Sequence, residues 1–182
     1  TDIIFSAQTC EEPVVELKNY KEEVKKLTSN SKIIIPHSAS SGQAGKEEAK
    51  VSLDEILELV LKVSTIQIPE ILIENEVSRL LSQMLDELKK LGLTLDQYLA
   101  SRKLDPEKLR LEYKTKAEAD LKLEFILRKI ADEEKITVEK DDIEKAFASI
   151  ENPTERSEVM KNPYLVASII RQQKTITFLS QL

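Results

Sequence analysis

Between Pro69 and Gly92 the apolar positions Ile73, Val77, Leu80, Leu81, Met84, Leu88 and Leu91 recur at spacings of three and four. That period lays one stripe along a helix of about six turns. Pro69 suits a first helical turn, and Gly92 suits the left-handed residue that stops a helix. After the elbow TLDQYLASRK, Asp105-Pro106 joins an N-cap to a proline at the first helical position, which opens a second long helix through Ala131. This helix carries two apolar rows. Tyr113, Ala117, Leu121 and Phe125 form one, and Ala119, Leu123, Ile126, Leu127 and Ile130 form another on roughly the opposite side. One row can pack on the first long helix, while the other has to meet further helices or a bound chain.

Upstream, IIFSAQTC and PVVELKNY read as extended through their β-branched residues, partial alternation and Pro13. Two short strands are not stable alone, so they must lie against the helical body. Lys21 to Lys32 is polar, and IIIP follows it. HSASSGQAG then holds two of the three glycines and reads as a flexible linker. Ser52 caps a helix through about Thr65 with Leu53, Ile56, Leu57, Val60 and Leu61 on its inner side, and IQIP links it to the first long helix. Beyond the second long helix come an extended ITV, a helix from about Asp141 to Ile150, a short helix after Asn152-Pro153 to about Lys161, and a last one opened by Asn162-Pro163. The last helix is expected to turn Leu165, Ile169, Ile176 and Leu179 to one face, with Val166 and Ile170 beside them. The fold class is mainly α: an elongated multi-helix body with two helical arms and a short N-terminal β element. The division is 1–35 as a leading extended segment, 36–50 as linker and 51–182 as helical domain.

Composition sharpens this picture. The 182 residues are 41% hydrophobic, 33% charged and only 4% aromatic, with no Trp, which is the profile of a long-helix protein. A net charge of −6 gives phosphate-backbone binding little support, so nucleic acid is not an expected partner. Cys10 stands alone, which excludes an internal disulfide framework and fits a reducing compartment. No apolar run of about 18 residues and no charged-then-apolar leader is present, so neither a membrane span nor a signal peptide is expected.

Catalytic chemistry finds few residues to work with. His37, the one histidine, lies in the linker, so a nucleophile would have to meet it across that loop. Metal sites built on His and Cys lack ligands, and Asp132, Glu133, Glu134, Asp141 and Asp142 lack a calcium-loop glycine. GQAGKE has its glycines too close for a phosphate loop and no Ser or Thr after the lysine. No enzyme activity, cofactor or metal is expected.

The run VSLDEILELVLKVSTIQIPEILIENEVSRLLSQMLDELKKLGLTLDQYL, then AEADLKLEFILRKIADEEKITV, then IEKAFASIENPTERSEVMKNPYLVASIIRQQKTITFLSQL resembles the C-terminal substrate-binding domain of bacterial trigger factor. DIIFSAQTCEEPVVELKNYKEEV resembles the segment that leaves that family's ribosome-binding domain, so the likeness covers roughly residues 1–30 and 51–182. Its most telling pieces are the junction from Ile68 to Glu76 and the Asn152-Pro153 corner. Two family features are absent from the sequence: a Gly-Phe-Arg-x-Gly-Lys docking loop, and an FKBP-type isomerase domain where only about 25 residues span the junction.

The resemblance implies a cytoplasmic, ATP-independent chaperone that holds exposed hydrophobic segments of unfolded or nascent polypeptides and delays aggregation, without ribosome docking by this chain alone. By family position, Ala146, Ile150 and Val159 are contact residues on one arm, with Phe147, Met160, Tyr164 and Leu165 nearby. Met84, Leu88, Leu95, Tyr98 and Leu99 are added on the other. Flexible Met and Leu suit varied clients. Against this stands the reading that a Leu or Met stripe at helical spacing is core. A structural module that pairs with one defined partner, or with a second copy as a homodimer, is the alternative function.

Overall fold

The structure, a computed structural model, describes residues 9–29, 51–148, 150 and 159–182. Among these it is mainly helical: α1 (Tyr20–Ser29), α2 (Leu53–Val63), α3 (Glu70–Lys90), α4 (Leu95–Arg102), α5 (Pro106–Glu133), α6 (Lys140–Ala148) and α7 (Pro163–Ser180). Two short strands, β1 (Val15–Glu16) and β2 (Thr65–Ile66), pair as a two-stranded sheet. The leading segment therefore differs from its expected form. Only Val15–Glu16 of PVVELKNY is strand, and the polar stretch after it is helix α1, because Tyr20 and Val24, four residues apart, give it a buried face. IIFSAQTC up to Gln8, the IIIP stretch, the linker with His37 and the Asn152-Pro153 corner lie outside the described residues.

The helix ends follow from local chemistry. Ser52 and Glu55 form a reciprocal capping box at α2, and Thr94 and Gln97 do the same at α4. Asp105 Oδ1 accepts the N–H of Lys108 ahead of Pro106, and Asn162 Oδ1 accepts the N–H of Leu165 ahead of Pro163. Pro69 stands just before α3, its carbonyl accepting from Leu72 and Ile73. Three helices end in the same left-handed turn. At α3 Gly92 has φ +69°, its N–H reaching Lys89 O while that of Leu93 reaches Leu88 O. At α4 and α5 the left-handed residue is a lysine, Lys103 and Lys135, each with φ 54°.

The chain divides into two compact units. The first comprises residues 1–15 and 66–125, with α3, α4 and the first part of α5. Its core has two clusters: Ile73, Val77 and Leu80 on Ala117, flanked by Tyr113 and Leu121, and Met84 and Leu88 on Leu99 and Leu109. The row Tyr113, Ala117, Leu121 thus meets α3, as the periodicity requires. Arg110 and Lys114 of α5 pair with Glu74 and Glu70 of α3 at the exposed margin.

The second unit comprises residues 16–65 and 126–182, with α1, α2, the end of α5, α6 and α7. Ile126, Leu127, Ile130 and Ala131 are buried there together with Tyr20, Val24, Ile56, Val60, Val166, Thr175 and Leu179. The other α5 row is thus covered from Ile126 onward, while Leu123 is half-buried and Ala119 is exposed. In α7 the inner row is Val166, Thr175 and Leu179, and Leu165 and Ile169 face solvent. The expected apolar face is corrected accordingly, because a buried threonine takes the place that apolar counting gave to an aliphatic residue.

Candidate functional site

Around the head of α7 large apolar side chains stand open to solvent. Val159 is 37% exposed, Met160 55%, Tyr164 87%, Leu165 56% and Ile169 54%. Leu165 and Ile169 are one turn apart on the same side of α7. The helix start that carries them is fixed by the Asn162 cap and Pro163. Further along α7, Ile170, Gln173, Lys174, Thr177, Phe178 and Gln181 line an open groove of about 300 Å³. The ammonium of Lys21 lies 6.0 Å from the centroid of the Phe178 ring, within cation–π range.

The charged neighbours of α7 are organised around the turn after α5. Arg171 donates to the backbone carbonyl of Ile136 at 2.8 Å and to Asp132 at 2.6 Å. Lys174 donates to the carbonyl of Thr137 at 3.2 Å and pairs with Asp142 at the start of α6. Lys174, together with the Glu139 N–H that Asp142 also accepts, holds the Asp142 carboxyl below its ordinary range. On the far side of the same turn, Tyr20 and Lys21 bond Glu134.

The residues singled out from the sequence fall into three groups. Val159, Met160, Tyr164 and Leu165 are exposed in the second unit. Ala146, Phe147 and Ile150 are half-buried there. In the first unit Leu95 is exposed and Tyr98 half-buried, but Met84, Leu88 and Leu99 are buried on Leu109. In this packing those three are core, since their side chains already fill the seam between α3, α4 and α5. Ile169 was not among the residues singled out, although the expected apolar face of α7 carries it together with Leu165, and it is exposed. Leu85, Leu91, Leu93 and Leu111 of the first unit are further exposed aliphatics.

Among the described residues no group of three or more His, Cys, Asp or Glu side chains is placed to hold a metal ion. Among them, too, no helix is long and apolar enough to cross a membrane.

A helical scaffold that leaves a run of aliphatic side chains open at a capped helix start has the features of a protein-interaction domain. The chain belongs to the bacterial trigger factor C-terminus family, whose model matches residues 17–181. It is 32% identical over 170 residues to trigger factor of Carboxydothermus hydrogenoformans, covering 90% of this chain and 37% of that protein. With trigger factor of Exiguobacterium sibiricum it shares 30% identity over 123 residues, 65% of this chain and 29% of the other. The chain therefore spans about a third of the length of these relatives. A solved structure of domains of trigger factor from Thermotoga maritima superposes with a TM-score of 0.51 at 22% identity, covering 71% of this chain and 79% of that one, which shows the fold.

Proposed function

We propose that this chain is a nucleotide-independent chaperone domain that holds exposed hydrophobic segments of unfolded or nascent polypeptides in a bacterial cytosol and so delays their aggregation. The observation that carries the reading is the open aliphatic patch of Met160, Leu165 and Ile169 beside Tyr164. Membership in the trigger factor family supports it. A soluble domain gains nothing in stability from such side chains in water, whereas covering them with an apolar client segment is worth roughly 25 cal/mol per Å² before association costs. A patch of flexible Met, Leu and Ile side chains fits varied sequences and favours modest affinity for many clients over tight binding of one.

The test is light scattering of a chemically denatured, unrelated enzyme diluted into buffer with and without stoichiometric amounts of the chain. Suppressed scattering is expected, and it is expected to weaken in a variant with Met160, Leu165 and Ile169 replaced by serine. If scattering is unchanged at every ratio, the chaperone reading falls. A dedicated interaction module, recognising one partner or a second copy, then takes its place.

A further inference from the structure

The sequence has two methionines, and the fold places them in opposite settings. Met84 is 8% exposed and packs with Leu88, Leu99 and Leu109 in the core of the first unit. Met160, in the second unit, is 55% exposed and belongs to the open patch of Leu165 and Ile169. Its thioether is the group of that patch that a two-electron oxidant attacks most readily. The aliphatic side chains around it carry no lone pair, and a phenol such as that of Tyr164 reacts far more slowly with peroxide. Sulfoxide formation turns a flexible apolar side chain into a polar one. At Met160 that change falls on the surface whose proposed use is to be covered by apolar segments.

We infer that Met160 is an oxidant-controlled modification site: a peroxide or hypohalous acid converts its thioether to the sulfoxide, and the patch then loses its hold on clients. The inference rests on the proposed chaperone reading and deepens it by naming how holding is turned down. With hydrogen peroxide the Met160 sulfur attacks one peroxide oxygen, an S–O bond forms as the O–O bond breaks, and water leaves. The sulfur gives up two electrons and the peroxide takes them. An aliphatic client segment laid over the new oxygen leaves a strong acceptor without a partner, which opposes binding. Exposure decides which methionine reacts. Met160 meets the oxidant in the folded chain, whereas Met84 meets it only when the seam between α3, α4 and α5 opens. The step is reversible, since methionine sulfoxide reductases return the thioether with two electrons from a dithiol and release water.

The test uses the chain carrying Cys10→Ser, which removes its one thiol, itself exposed. Peptide mapping by mass spectrometry and suppression of aggregation of a chemically denatured enzyme are read on the same samples, after catalase has removed the peroxide. One oxygen should appear on Met160 at least about tenfold faster than on Met84. The amount of chain needed for half suppression should rise about three- to tenfold, short of the effect of losing a wholly buried methionine side chain. Methionine sulfoxide reductase with dithiothreitol should restore the untreated level. Met160→Gln, which puts a polar group of similar length there, should weaken holding without any oxidant. Met160→Leu should hold equally well before and after peroxide, whatever its starting level.

Oxidation of both methionines at one rate overturns the inference. So does unaltered holding by the Met160 sulfoxide, a loss that the reductase does not reverse, undiminished holding by Met160→Gln, or a peroxide-sensitive Met160→Leu. In each of these cases the untreated chain still suppresses aggregation and the chaperone reading stands. An untreated chain that suppresses nothing overturns both.

Discussion

The phenol of Tyr20 donates to Glu134 Oε1 at 3.0 Å across 114 residues of sequence, and Lys21 pairs with the same carboxylate oxygen at 2.6 Å. One acidic side chain at the end of α5 thus fixes the first turn of α1. Glu134 and Tyr20 are shifted in opposite directions. Lys21 foremost, with Tyr20 assisting against partial burial, holds the Glu134 carboxyl below its ordinary range. Burial first, then the bond to Glu134 and the charges of Glu134 and Glu133, pushes the Tyr20 phenol well above its ordinary value.

For Tyr20 the folded pKa is raised, so its contribution to stability is complete below the unfolded value of about 10 and is lost as pH rises above it. Tyr20→Phe keeps the buried ring and removes the hydroxyl. It should lower stability by about 1 kcal/mol at neutral pH and flatten the alkaline loss between about pH 10 and 12, followed by urea unfolding across a pH series.

For Glu134 the folded pKa is depressed, so its contribution is present above the unfolded value of about 4.3 and is lost as pH falls through the folded one. Lys21→Met should therefore shallow the acid limb of the same pH series while leaving the alkaline limb set by Tyr20 in place. An acid limb identical to wild type would show that Lys21 does not set the Glu134 titration.

The left-handed turns after α4 and α5 are occupied by Lys103 and Lys135, where glycine carries no steric penalty. Lys103→Gly and Lys135→Gly should each stabilise by about 0.5–1 kcal/mol. Gly92→Ala should destabilise by a similar amount. A Cβ at Gly92 meets nothing within 4 Å, so its effect is purely one of backbone conformation. Denaturant midpoints of the three single variants check this, and equal midpoints for glycine and lysine would contradict it.

Buried and exposed aliphatics from the same sequence reading should part company on substitution. Met84→Ala, in the cluster with Leu88, Leu99 and Leu109, should destabilise by about 2–5 kcal/mol. Leu165→Ser should change stability by no more than about 0.5 kcal/mol and weaken suppression of aggregation. If Leu165→Ser unfolds the chain, the head of α7 is core and the patch assignment is wrong.

Ser64 Oγ is buried without a hydrogen-bond partner among the described residues, although its backbone N–H reaches Val60 O. Removing an orphaned buried hydroxyl relieves its desolvation penalty, so Ser64→Ala should be neutral or stabilising by up to about 1 kcal/mol. Thermal melting of that variant reads the effect, and a clear loss of stability would reveal a role for the hydroxyl that the packing does not show.

The sequence by itself determined where most described helices begin and end, because those limits rest on chemistry within a few residues. Ser52, Thr94, Asp105 and Asn162 cap; Pro106 and Pro163 start; Gly92 stops. It also determined that α5 has two apolar rows, a property of period alone. Only the tertiary structure decided which residues those rows and their neighbours bury. Met84 and Leu99 look like open arm residues until Leu109 is seen packed on them, and the apolar face of Leu165, Ile169, Ile176 and Leu179 is split only when Val166, Thr175 and Leu179 are found buried and Leu165 and Ile169 exposed. The strand partner of Val15–Glu16, some fifty residues downstream, and the helix after it were hidden for the same reason. Burial depends on what another element brings to a surface from far along the chain, and periodicity carries no record of that partner.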